Sequence, residues 1–487
     1  MTDFLLNRQP VTLATTDPDL TVLDFLREQA HLTGTKEGCA SGDCGACTIV
    51  VGEPTEQGMR YRSLNSCITF VHSLHGKQLL TVEHLEQEGA LHPVQQALVD
   101  HHGSQCGFCT PGFVMSLFAL YHSDVQPSRD AVLTALSGNL CRCTGYRPII
   151  DAGMALLEAR HGDAFSAQMT DIEAELRSLG TPVLPEETKP DQSVGFWQPK
   201  NREELARAKA RSPRARYTAG STDLALEKTQ RLANLNALID LSQVAELNHL
   251  SVDAEGLHIG AAVSYTELEP VLLADYPEAR EWLERLGSRP IRNRGTLGGN
   301  LGNASPIGDT PPLLIALNAT VTLSNGQSER TLPVSELITG YRQTVLADDE
   351  WIDTIHIPRR TPGSLFRAYK ISKRFEDDIS TVCAVFYLET DKNDIVTCLR
   401  TGFGGLAATP LQLTDWQEPL IGEHWPALAV NDLSRTLAEA LAPIDDVRAS
   451  ARYRVQVTAN LFKRFHLETT QPDARTRVHG HGGSAHA

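Results

Sequence analysis

The sequence predicts a multidomain α+β protein. Its 487 residues are enough for two to four domains with sizeable hydrophobic cores. Strand-like alternation dominates the first part of the chain, helical periodicity follows, and both patterns mix from about residue 195 onwards. Between these blocks, Pro182, Pro185 and Pro190 predict an exposed linker over residues 161–190.

The composition excludes several classes of protein. A formal net charge of −16 argues against a nucleic-acid-binding surface and against docking on anionic lipid. The N-terminal stretch MTDFLLNRQPVTLATTD lacks a basic region followed by an apolar one, so no signal peptide is expected. No run of about 18 apolar residues occurs, so no membrane span is expected. We therefore expect a cytoplasmic protein with reduced thiols.

The first segment, residues 1–85, is predicted to hold strands, one helix and a long loop. Residues 4–13 alternate in polarity around Phe4 and Val11, with NRQP between them, which predicts a hairpin. Thr21 and Asp24 are spaced like a capping box and predict a helix start. TIVV at 48–51 predicts a strand.

The long loop carries three thiols in the stretch CASGDCGAC. Cys39, Cys44 and Cys47 have C-x4-C-x2-C spacing, and Cys67 follows, which is the plant-type pattern for a [2Fe–2S] cluster. Glycines in the loop allow the positive φ that wrapping a small centre requires. A disulfide framework is disfavoured because only ten residues of this long chain are cysteines. A structural zinc site usually takes two paired Cys or Cys/His units, so we predict an iron–sulfur cluster.

Residues 86–160 read as four short helices. Pro93, Pro111 and Pro148 each stand where a helix can begin without losing a hydrogen bond, and Ser128 is a typical cap. Thr110 is expected to cap the second helix. Between these helices lie four more thiols, Cys106 and Cys109 in QCGFCTPG and Cys141 and Cys143 in NLCRCTGYRP. They predict a second metal centre, for which zinc remains an alternative on spacing alone.

Two cysteines lie far from both sets. Cys383 and Cys398 stand in apolar, strand-like surroundings, and we expect them to be buried free thiols.

Two glycine-rich loops follow the linker. They are YTAGSTDLAL at 217–226 and RGTLGGNLGNASPIGD at 294–309, and neither is a G-x-G-x-x-G fingerprint. Small residues and exposed backbone N–H groups suit a pyrophosphate, although each loop alone is also consistent with a tight turn.

Taken together, CASGDCGACTIVV, Cys67, QCGFCTPGFVMS and GNLCRCTGYRPI resemble the iron–sulfur part of the xanthine oxidase/dehydrogenase family of molybdenum hydroxylases. The resemblance covers about residues 4–470. It implies a plant-type ferredoxin β-grasp domain over 1–85, a four-helix-bundle [2Fe–2S] domain over 86–160, an FAD-binding α+β domain of the vanillyl-alcohol oxidase/CO dehydrogenase flavoprotein type over 191–362 and a C-terminal α+β subdomain over 363–470. The remaining residues, 471–487, are expected to form a disordered tail.

The resemblance also implies a set of cofactor ligands. The metal ligands would be Cys39, Cys44, Cys47 and Cys67 for one [2Fe–2S] cluster and Cys106, Cys109, Cys141 and Cys143 for the other. The FAD contacts would be Tyr217, Thr218, Ala219, Gly220, Ser221, Thr222, Asp223, Leu224, Thr296, Leu297, Gly298, Gly299, Asn300, Asp309, Ile352 and Lys370. Many members of the family carry an aromatic residue where this chain has Leu286, so Leu286 is left out of the predicted contacts.

The function implied by the resemblance is electron transfer. Electrons from purine oxidation would enter at the helical-domain cluster, pass to the ferredoxin-like one and reach FAD, with NAD+ as the acceptor. The family has a charged loop where this chain has Lys373, Arg374, Glu376, Asp377 and Asp378, and there it influences the choice between NAD+ and oxygen. No segment matches the family's molybdenum-binding region, so we expect the molybdenum cofactor on a large partner subunit, in a heterotetramer of two small and two large subunits, and no catalytic residue on this chain.

Two alternatives remain open. One is the same role for another molybdenum hydroxylase, acting on an N-heterocycle or an aldehyde. The other is a zinc-stabilised assembly scaffold with a degenerate flavin fold.

Overall fold

A computed structural model describes residues 2–14, 17–179 and 194–476. The described residues form two compact units. Unit 1 comprises those within Met1–Ala245, Ser264–Thr266 and Gly287–Gly295, and unit 2 those within Glu246–Val263, Glu267–Leu286 and Thr296–Ala487. The prolines of the predicted linker and residues 477–487 of the predicted tail lie outside the described residues. Among the described residues, no helix has both the length and the apolar character needed to cross a membrane.

The N-terminal region of unit 1 is a five-stranded sheet with one short helix. The sheet order is β2-β1-β5-β3-β4, and only the β1–β5 pair is parallel. The elements are β1 (Thr2–Leu6), β2 (Gln9–Leu13), α1 (Val22–Asp24), which continues as a π-helical turn over Phe25–Gln29, β3 (Thr48–Thr55), β4 (Gly58–Asn65) and β5 (Gln78–Leu80). The predicted hairpin pairs Phe4 with Val11. Thr21 caps α1 as predicted, because its hydroxyl accepts from the Asp24 amide at 3.1 Å and donates to the Asp24 carboxylate.

Both faces of this sheet are covered, as the alternation of β3 requires. Ile49 and Val51 pack with Phe4 and the residues around α1. Val50 points the other way and packs into the core of the helical region. Because successive side chains of a strand face opposite sides, this short apolar strand joins two cores.

Five helices follow, and four of them match the predicted bundle. They are α2 (Pro93–Asp100), α3 (Thr110–Tyr121), α4 (Arg129–Leu136), α5 (Arg147–Glu158) and α6 (Ala164–Ser178). Ser128 caps α4 by accepting from the Ala131 amide at 3.1 Å. Thr110 is not a cap, because α3 begins with Thr110 and its N-cap is Cys109. The central helix α3 is buried on almost every side, in keeping with its apolar sequence.

The fifth helix corrects the predicted linker. Residues 164–178 lie within 161–190, yet they form α6, which Asp163 caps by accepting from the Ser166 amide at 2.7 Å. Ile172 and Leu176 are buried against Leu5 of β1. The reason is a helical stripe of Phe165, Met169, Ile172 and Leu176, which the prolines further along the segment obscured.

Unit 1 also holds a small parallel sheet of order β6-β8-β7. Its elements are β6 (Gly195–Trp197), α7 (Arg202–Arg211), β7 (Arg216–Thr218), α8 (Ala225–Thr229) and β8 (Ala237–Asp240). The first glycine-rich loop therefore connects the end of a parallel strand to a helix.

The next part of the chain is built around an antiparallel sheet of order β12-β11-β15-β10-β9. Its elements in chain order are β9 (Leu250–Val252), β10 (Gly256–Gly260), α9 (Tyr265–Asp275), α10 (Arg280–Glu284), α11 (Arg289–Arg292), α12 (Leu297–Asn303), α13 (Thr310–Ala316), β11 (Thr320–Ser324), β12 (Glu329–Pro333), α14 (Val334–Leu337), β13 (Ile338–Gly340), β14 (Gln343–Thr344) and β15 (Trp351–Pro358). The short helix α11 belongs to unit 1.

The last part of unit 2 is an antiparallel sheet of order β16-β17-β18 packed on a long helix. Its elements are β16 (Leu365–Ile371), β17 (Val382–Thr390), β18 (Val396–Gly404), α15 (Thr414–Gln417), α16 (Val430–Glu439) and α17 (Ala451–Thr470). Phe386 of β17 stacks on Phe465 of α17 with ring centroids 5.1 Å apart.

Candidate metal centres and cofactor-binding loops

The first four predicted thiols lie together in unit 1. The Sγ atoms of Cys47 and Cys67 are 3.3 Å apart, and both residues are buried. A hydrogen bond with the Cys44 thiol is the main reason that the pKa of Cys39 falls to about 4. Cys39 also interacts electrostatically with Cys47 and Cys67. The four sulfurs thus lie close enough to shift one another's pKa values, and together they are a donor set suited to a metal centre.

The loop between Cys39 and Cys47 has the backbone that such a centre needs. Ala40, Gly42 and Gly45 have φ values of 52°, 83° and 67°. A Cβ on Gly38 would lie 2.7 Å from the Cys44 sulfur, so a side chain there would displace this thiol. The four thiols and this loop fit a [2Fe–2S] cluster.

The second four thiols also meet, at the surface of the helical region. The thiols of Cys109 and Cys141 lie close enough to shift the pKa of each other, and so do those of Cys106 and Cys143. The backbone amides of Cys143 and Thr144 both point at the Cys141 sulfur, at 3.5 Å. Cys106 and Cys143 are exposed. The sequence alone could not place these two segments side by side, since the pairing depends on how α3, α4 and α5 pack.

The two thiol sites are in direct contact through their backbones. The Leu140 amide donates to the carbonyl of Cys44 at 3.0 Å, and Leu140 directly precedes Cys141. A Cβ on Gly112 of α3 would lie only 2.1 Å from the Gly45 carbonyl oxygen, so the first loop rests on that helix. We did not predict this contact, although Asn139 and Leu140 stand within the GNLCRC motif.

The first site also contacts the segment that follows β7. The Ser221 hydroxyl donates to the carbonyl of Ile68 at 2.8 Å, and Ile68 directly follows Cys67. The Gln230 side chain donates to the carbonyls of Cys39 and Ala40 at 3.0 and 2.9 Å. The predicted flavin loop, through Ser221, and the end of the following helix, through Gln230, therefore both contact the first thiol site.

That loop offers unsatisfied polar groups. The Thr218 hydroxyl is buried without a hydrogen-bond partner, and no acceptor among the described residues is paired with the backbone N–H of Gly220, Ser221 or Thr222. A Cβ on Gly220 would lie 1.9 Å from the Arg294 carbonyl oxygen, so the close approach of the two backbone segments requires glycine at this position. A hydroxyl and successive free N–H groups are what a pyrophosphate requires, so the loop fits FAD.

The other predicted flavin contacts lie in unit 2 and are described within it. Thr296 caps α12 by accepting from the Gly299 amide at 2.9 Å. A Cβ on Gly298 would lie 2.4 Å from the Ala261 Cβ, so this glycine is required by packing. Asn300 accepts a hydrogen bond from the Thr310 hydroxyl.

Asp309 and Lys370 form a buried ion pair in unit 2. The Lys370 ammonium lies 2.6 Å from the Asp309 carboxylate, and the exposed fractions of the two side chains are 3% and 6%. The Ser380 hydroxyl donates to the second carboxylate oxygen. Ile352 of β15 is buried as well. A buried pair of this kind fixes the end of β16 relative to the start of α13.

The charged loop after β16 is held by Arg285. Its guanidinium donates to the carbonyls of Phe375 and Lys370, both at 2.7 Å, and to the Ser372 hydroxyl at 3.0 Å. It also lies 4.5 Å from the centre of the Phe375 ring. Arg285 directly precedes Leu286, and no pattern in the sequence indicated its role.

The two remaining cysteines differ from each other. Cys383 is fully buried in β17, and burial raises its pKa, as expected of an inert core thiol. Cys398 is only half-buried and lies 3.1 Å from the Arg400 guanidinium, so the prediction of a buried thiol is wrong there.

One further group of metal-ligand residues was missed from sequence. His92, His122 and Asp163 bring ligand atoms within 4.8 Å of one another. The Val94 amide donates to His92 Nδ1, which leaves the proton on Nε2, and that proton faces Asp163 at 2.6 Å. His122 Nδ1 faces the Phe118 carbonyl and its Nε2 faces Asp163, so we assign protons to both nitrogens. These hydrogen bonds indicate that the three residues form a cluster centred on the Asp163 carboxylate, which joins three helix ends, and not a metal site.

Comparisons with known proteins match all four parts of the chain. The 2Fe-2S iron-sulfur cluster binding domain matches residues 4–72, and the [2Fe-2S] binding domain matches 81–154. The FAD binding domain in molybdopterin dehydrogenase matches 192–360, and the CO dehydrogenase flavoprotein C-terminal domain matches 367–469. Two [2Fe–2S] clusters and FAD are therefore the cofactors of this chain.

Similar whole proteins include xanthine dehydrogenase of Emericella nidulans, 33% identical over 97% of this chain and 39% of that protein. Xanthine dehydrogenase/oxidase of Mus musculus is 30% identical over 98% of this chain and 39% of that protein. Aldehyde oxidase 2 of Rattus norvegicus is 30% identical over 96% of this chain and 39% of that protein. The chain thus spans about two-fifths of the length of these relatives.

Solved structures show the same fold. A carbon monoxide dehydrogenase chain from Hydrogenophaga pseudoflava matches with a TM-score of 0.52 and 24% identity, over 57% of this chain and 96% of that one. A chain of quinoline 2-oxidoreductase from Pseudomonas putida 86 matches with a TM-score of 0.52 and 24% identity, over 58% of this chain and 99% of that one.

Proposed function

The chain belongs to the molybdenum hydroxylase family, whose iron–sulfur and FAD part it carries, and from this membership we propose that it is the electron-transfer subunit of a xanthine dehydrogenase. In that role it takes up the electrons that a large molybdenum-cofactor subunit removes from hypoxanthine or xanthine on the way to urate. It delivers them to NAD+. When bound, the clusters exchange single electrons and FAD exchanges one or two.

The observation that carries the proposal is a series of contacts through unit 1. It starts at the exposed thiols Cys106 and Cys143 and reaches the first site where the Leu140 amide meets the Cys44 carbonyl. It ends where Ser221 meets the residue after Cys67. This order supports entry of electrons at the helical-domain site and exit at the flavin loop.

We propose for each predicted cofactor-binding residue the role that the sequence analysis assigned to it. The eight thiols hold the clusters as two sets of four, and all the predicted flavin contacts, from Tyr217 to Lys370, hold FAD. The free N–H groups and the orphan Thr218 hydroxyl support the part of this proposal that concerns the pyrophosphate.

The partner is proposed to dock beside the second thiol site. Phe108 and Leu140, next to its ligands, are exposed by 49% and 42%, and apolar side chains at the surface favour contact with another protein. We propose a heterotetramer of two small and two large subunits. We also propose a cytoplasmic location, where reduced thiols are available for cluster assembly.

NAD+ is proposed as the acceptor because the loop after β16 carries exposed cations. Lys373 can attract the phosphates of a dinucleotide, whereas Arg374 already lies 3.7 Å from the Asp378 carboxylate. Arg285 holds the loop in one conformation. The similarity to an aldehyde oxidase favours one alternative, in which the same chain serves a partner that oxidises an aldehyde or an N-heterocycle.

Purification of the native complex tests the proposal. Molybdenum should co-purify with the chain, and xanthine should drive NAD+ reduction. If molybdenum co-purifies but xanthine is not oxidised, the electron-transfer role stands and the substrate assignment is wrong. Benzaldehyde and N-heterocycles are then tested as substrates, with NAD+ and with oxygen as acceptors. If no molybdenum subunit accompanies the native protein, the proposal is wrong.

A further inference from the structure

Asn139 occupies the junction between the two thiol sites. It is buried, with 4% of its surface exposed, and it lies two residues before the ligand Cys141. Its neighbour Leu140 makes the backbone hydrogen bond to Cys44, at 3.0 Å. A residue that holds this junction in place, as Asn139 does, therefore determines how the two thiol sites are oriented relative to each other.

The side chain of Asn139 binds three different elements. Its amide nitrogen donates to the Gly45 carbonyl at 3.2 Å and to the Thr48 hydroxyl at 3.5 Å. Its oxygen accepts from the Ser116 hydroxyl of α3 at 2.7 Å. A flipped amide would set its oxygen against the Gly45 carbonyl, where two acceptors repel, so only one orientation is satisfied.

The surrounding backbone leaves little room for movement. A Cβ on Gly45 would lie 2.5 Å from the Asn139 amide nitrogen, and Gly45 has a φ of 67°. On the other side, a Cβ on Gly112 would lie 2.1 Å from the Gly45 oxygen. Gly45 is thus pressed between α3 and Asn139, and the preceding carbonyl, that of Cys44, is directed at the Leu140 amide.

We propose that Asn139 is a positioning residue for electron transfer between the two clusters, an inference that rests on the function proposed above. It holds a continuous connection from the Cys44 sulfur, through the Cys44 carbonyl and its hydrogen bond to Leu140, to the Cys141 sulfur. Only one electron passes along this connection at a time, and no bond is formed or broken. Asn139 itself binds neither cluster.

The test compares Asn139→Ala with the unchanged full-length chain carrying its clusters and FAD. Iron content and the two cluster midpoint potentials should stay unchanged, because every thiol remains in place. Electron equilibration between the clusters after flash photoreduction should slow severalfold, and the spin–spin splitting in the low-temperature EPR spectrum of the fully reduced protein should weaken. Ser116→Ala, which frees the Asn139 oxygen, should give a smaller change in the same direction.

Asn293→Ala is the matched control. Asn293 is also buried in unit 1, donates to a backbone carbonyl, that of Ser63, and accepts from a hydroxyl, that of Thr266. Its replacement should leave the rate and the splitting unchanged. Unchanged kinetics in Asn139→Ala with full iron content would overturn the proposal, and so would loss of iron, because Asn139 would then support the ligands themselves. Neither measurement requires a partner subunit, xanthine or NAD+, so either failure is distinct from failure of the proposed function.

Discussion

The hydroxyl of Ser221 donates a hydrogen bond to the backbone carbonyl of Ile68, 2.8 Å away. Ile68 follows Cys67, a proposed cluster ligand, and Ser221 lies in the loop proposed to bind the pyrophosphate of FAD. The same residue has a φ of 59°, a left-handed conformation that is uncommon outside glycine. One serine therefore joins a cluster ligand segment to the flavin loop.

Replacing Ser221 with alanine should weaken this junction. The loss of one buried hydrogen bond should lower the free energy of unfolding by about 1 kcal/mol, and the loop should retain FAD less well. Urea unfolding and the flavin released on gel filtration measure these effects. Ser123→Ala, which removes a hydroxyl hydrogen bond at the end of α3, should leave FAD in place. Full FAD retention in Ser221→Ala would refute a role for this contact in the flavin loop.

Single cysteine substitutions should separate the two metal sites. Cys44→Ser or Cys109→Ser should lower the iron content by about half, because each removes one ligand of one cluster and leaves the other set of four intact. Iron is measured by colorimetric assay together with the visible absorbance of the clusters. Cys383→Ser, in the core of unit 2, should keep all of its iron. If either of the first two variants kept its full iron content, the assignment of four ligands to each site would fail.

Breaking the buried pair of Asp309 and Lys370 should be costly. Lys370→Met leaves a buried carboxylate without its counter-ion and should cost about 3–5 kcal/mol of stability. The double variant Asp309→Leu/Lys370→Met should be more stable than Lys370→Met alone, since no charge is left unpaired. Arg435→Met breaks a pair whose side chains are 67% and 66% exposed, and it should cost less than about 1 kcal/mol. Equal costs in urea unfolding of the buried and exposed variants would contradict this account.

The hydrogen-bonded cluster of His92, His122 and Asp163 should stabilise the helical region without a metal. Asp163→Asn leaves the His122 cation without its carboxylate and should cost about 3 kcal/mol. Asp171→Asn, at an exposed position of the same helix α6, should be close to neutral. Zinc added to the unchanged protein should not raise its melting temperature. A zinc-dependent rise that Asp163→Asn abolishes would identify the group as a metal site.

Asp446 should make unit 2 sensitive to acid. Burial raises the pKa of Asp446, but hydrogen bonds from the guanidinium of Arg454, 2.7 Å away, and from the backbone amides of Arg448 and Ala449 outweigh it and lower the pKa to about 2. The lowered pKa stabilises the folded state above pH 3.8 by an amount that solvent screening keeps small, and this contribution is lost as the pH falls from 3.8 through about 2.

The stability difference between the unchanged protein and Asp446→Asn should therefore be largest near pH 6 and shrink below pH 3.8. Urea titrations across this range measure it. Asp432→Asn, which breaks the exposed pair with Arg435, provides the control. A difference that stays constant down to pH 3 would show that the charge of Asp446 is not what stabilises the loop.

Much of the fold could be predicted because its signals are local. The hairpin of β1 and β2, the Thr21 cap and the starts of α2, α4 and α5 all depend on residues close together in sequence. The linker prediction failed over 164–178 because proline-rich neighbours hid a helical stripe that becomes meaningful only against β1. The role of Arg285 had no local signal, since its partners lie about ninety residues away.

The sequence by itself determined the two sets of four thiols and the two glycine-rich loops, because ligand type and spacing are written along the chain. Tertiary structure decided which of these groups touch. Three contacts join segments that are far apart in sequence: the hydrogen bond between Leu140 and Cys44, the packing of Gly45 between α3 and Asn139, and the hydrogen bond from Ser221 to Ile68. Such contacts depend on the packing of whole helices and sheets, so only the folded chain shows which of these sites lie next to one another.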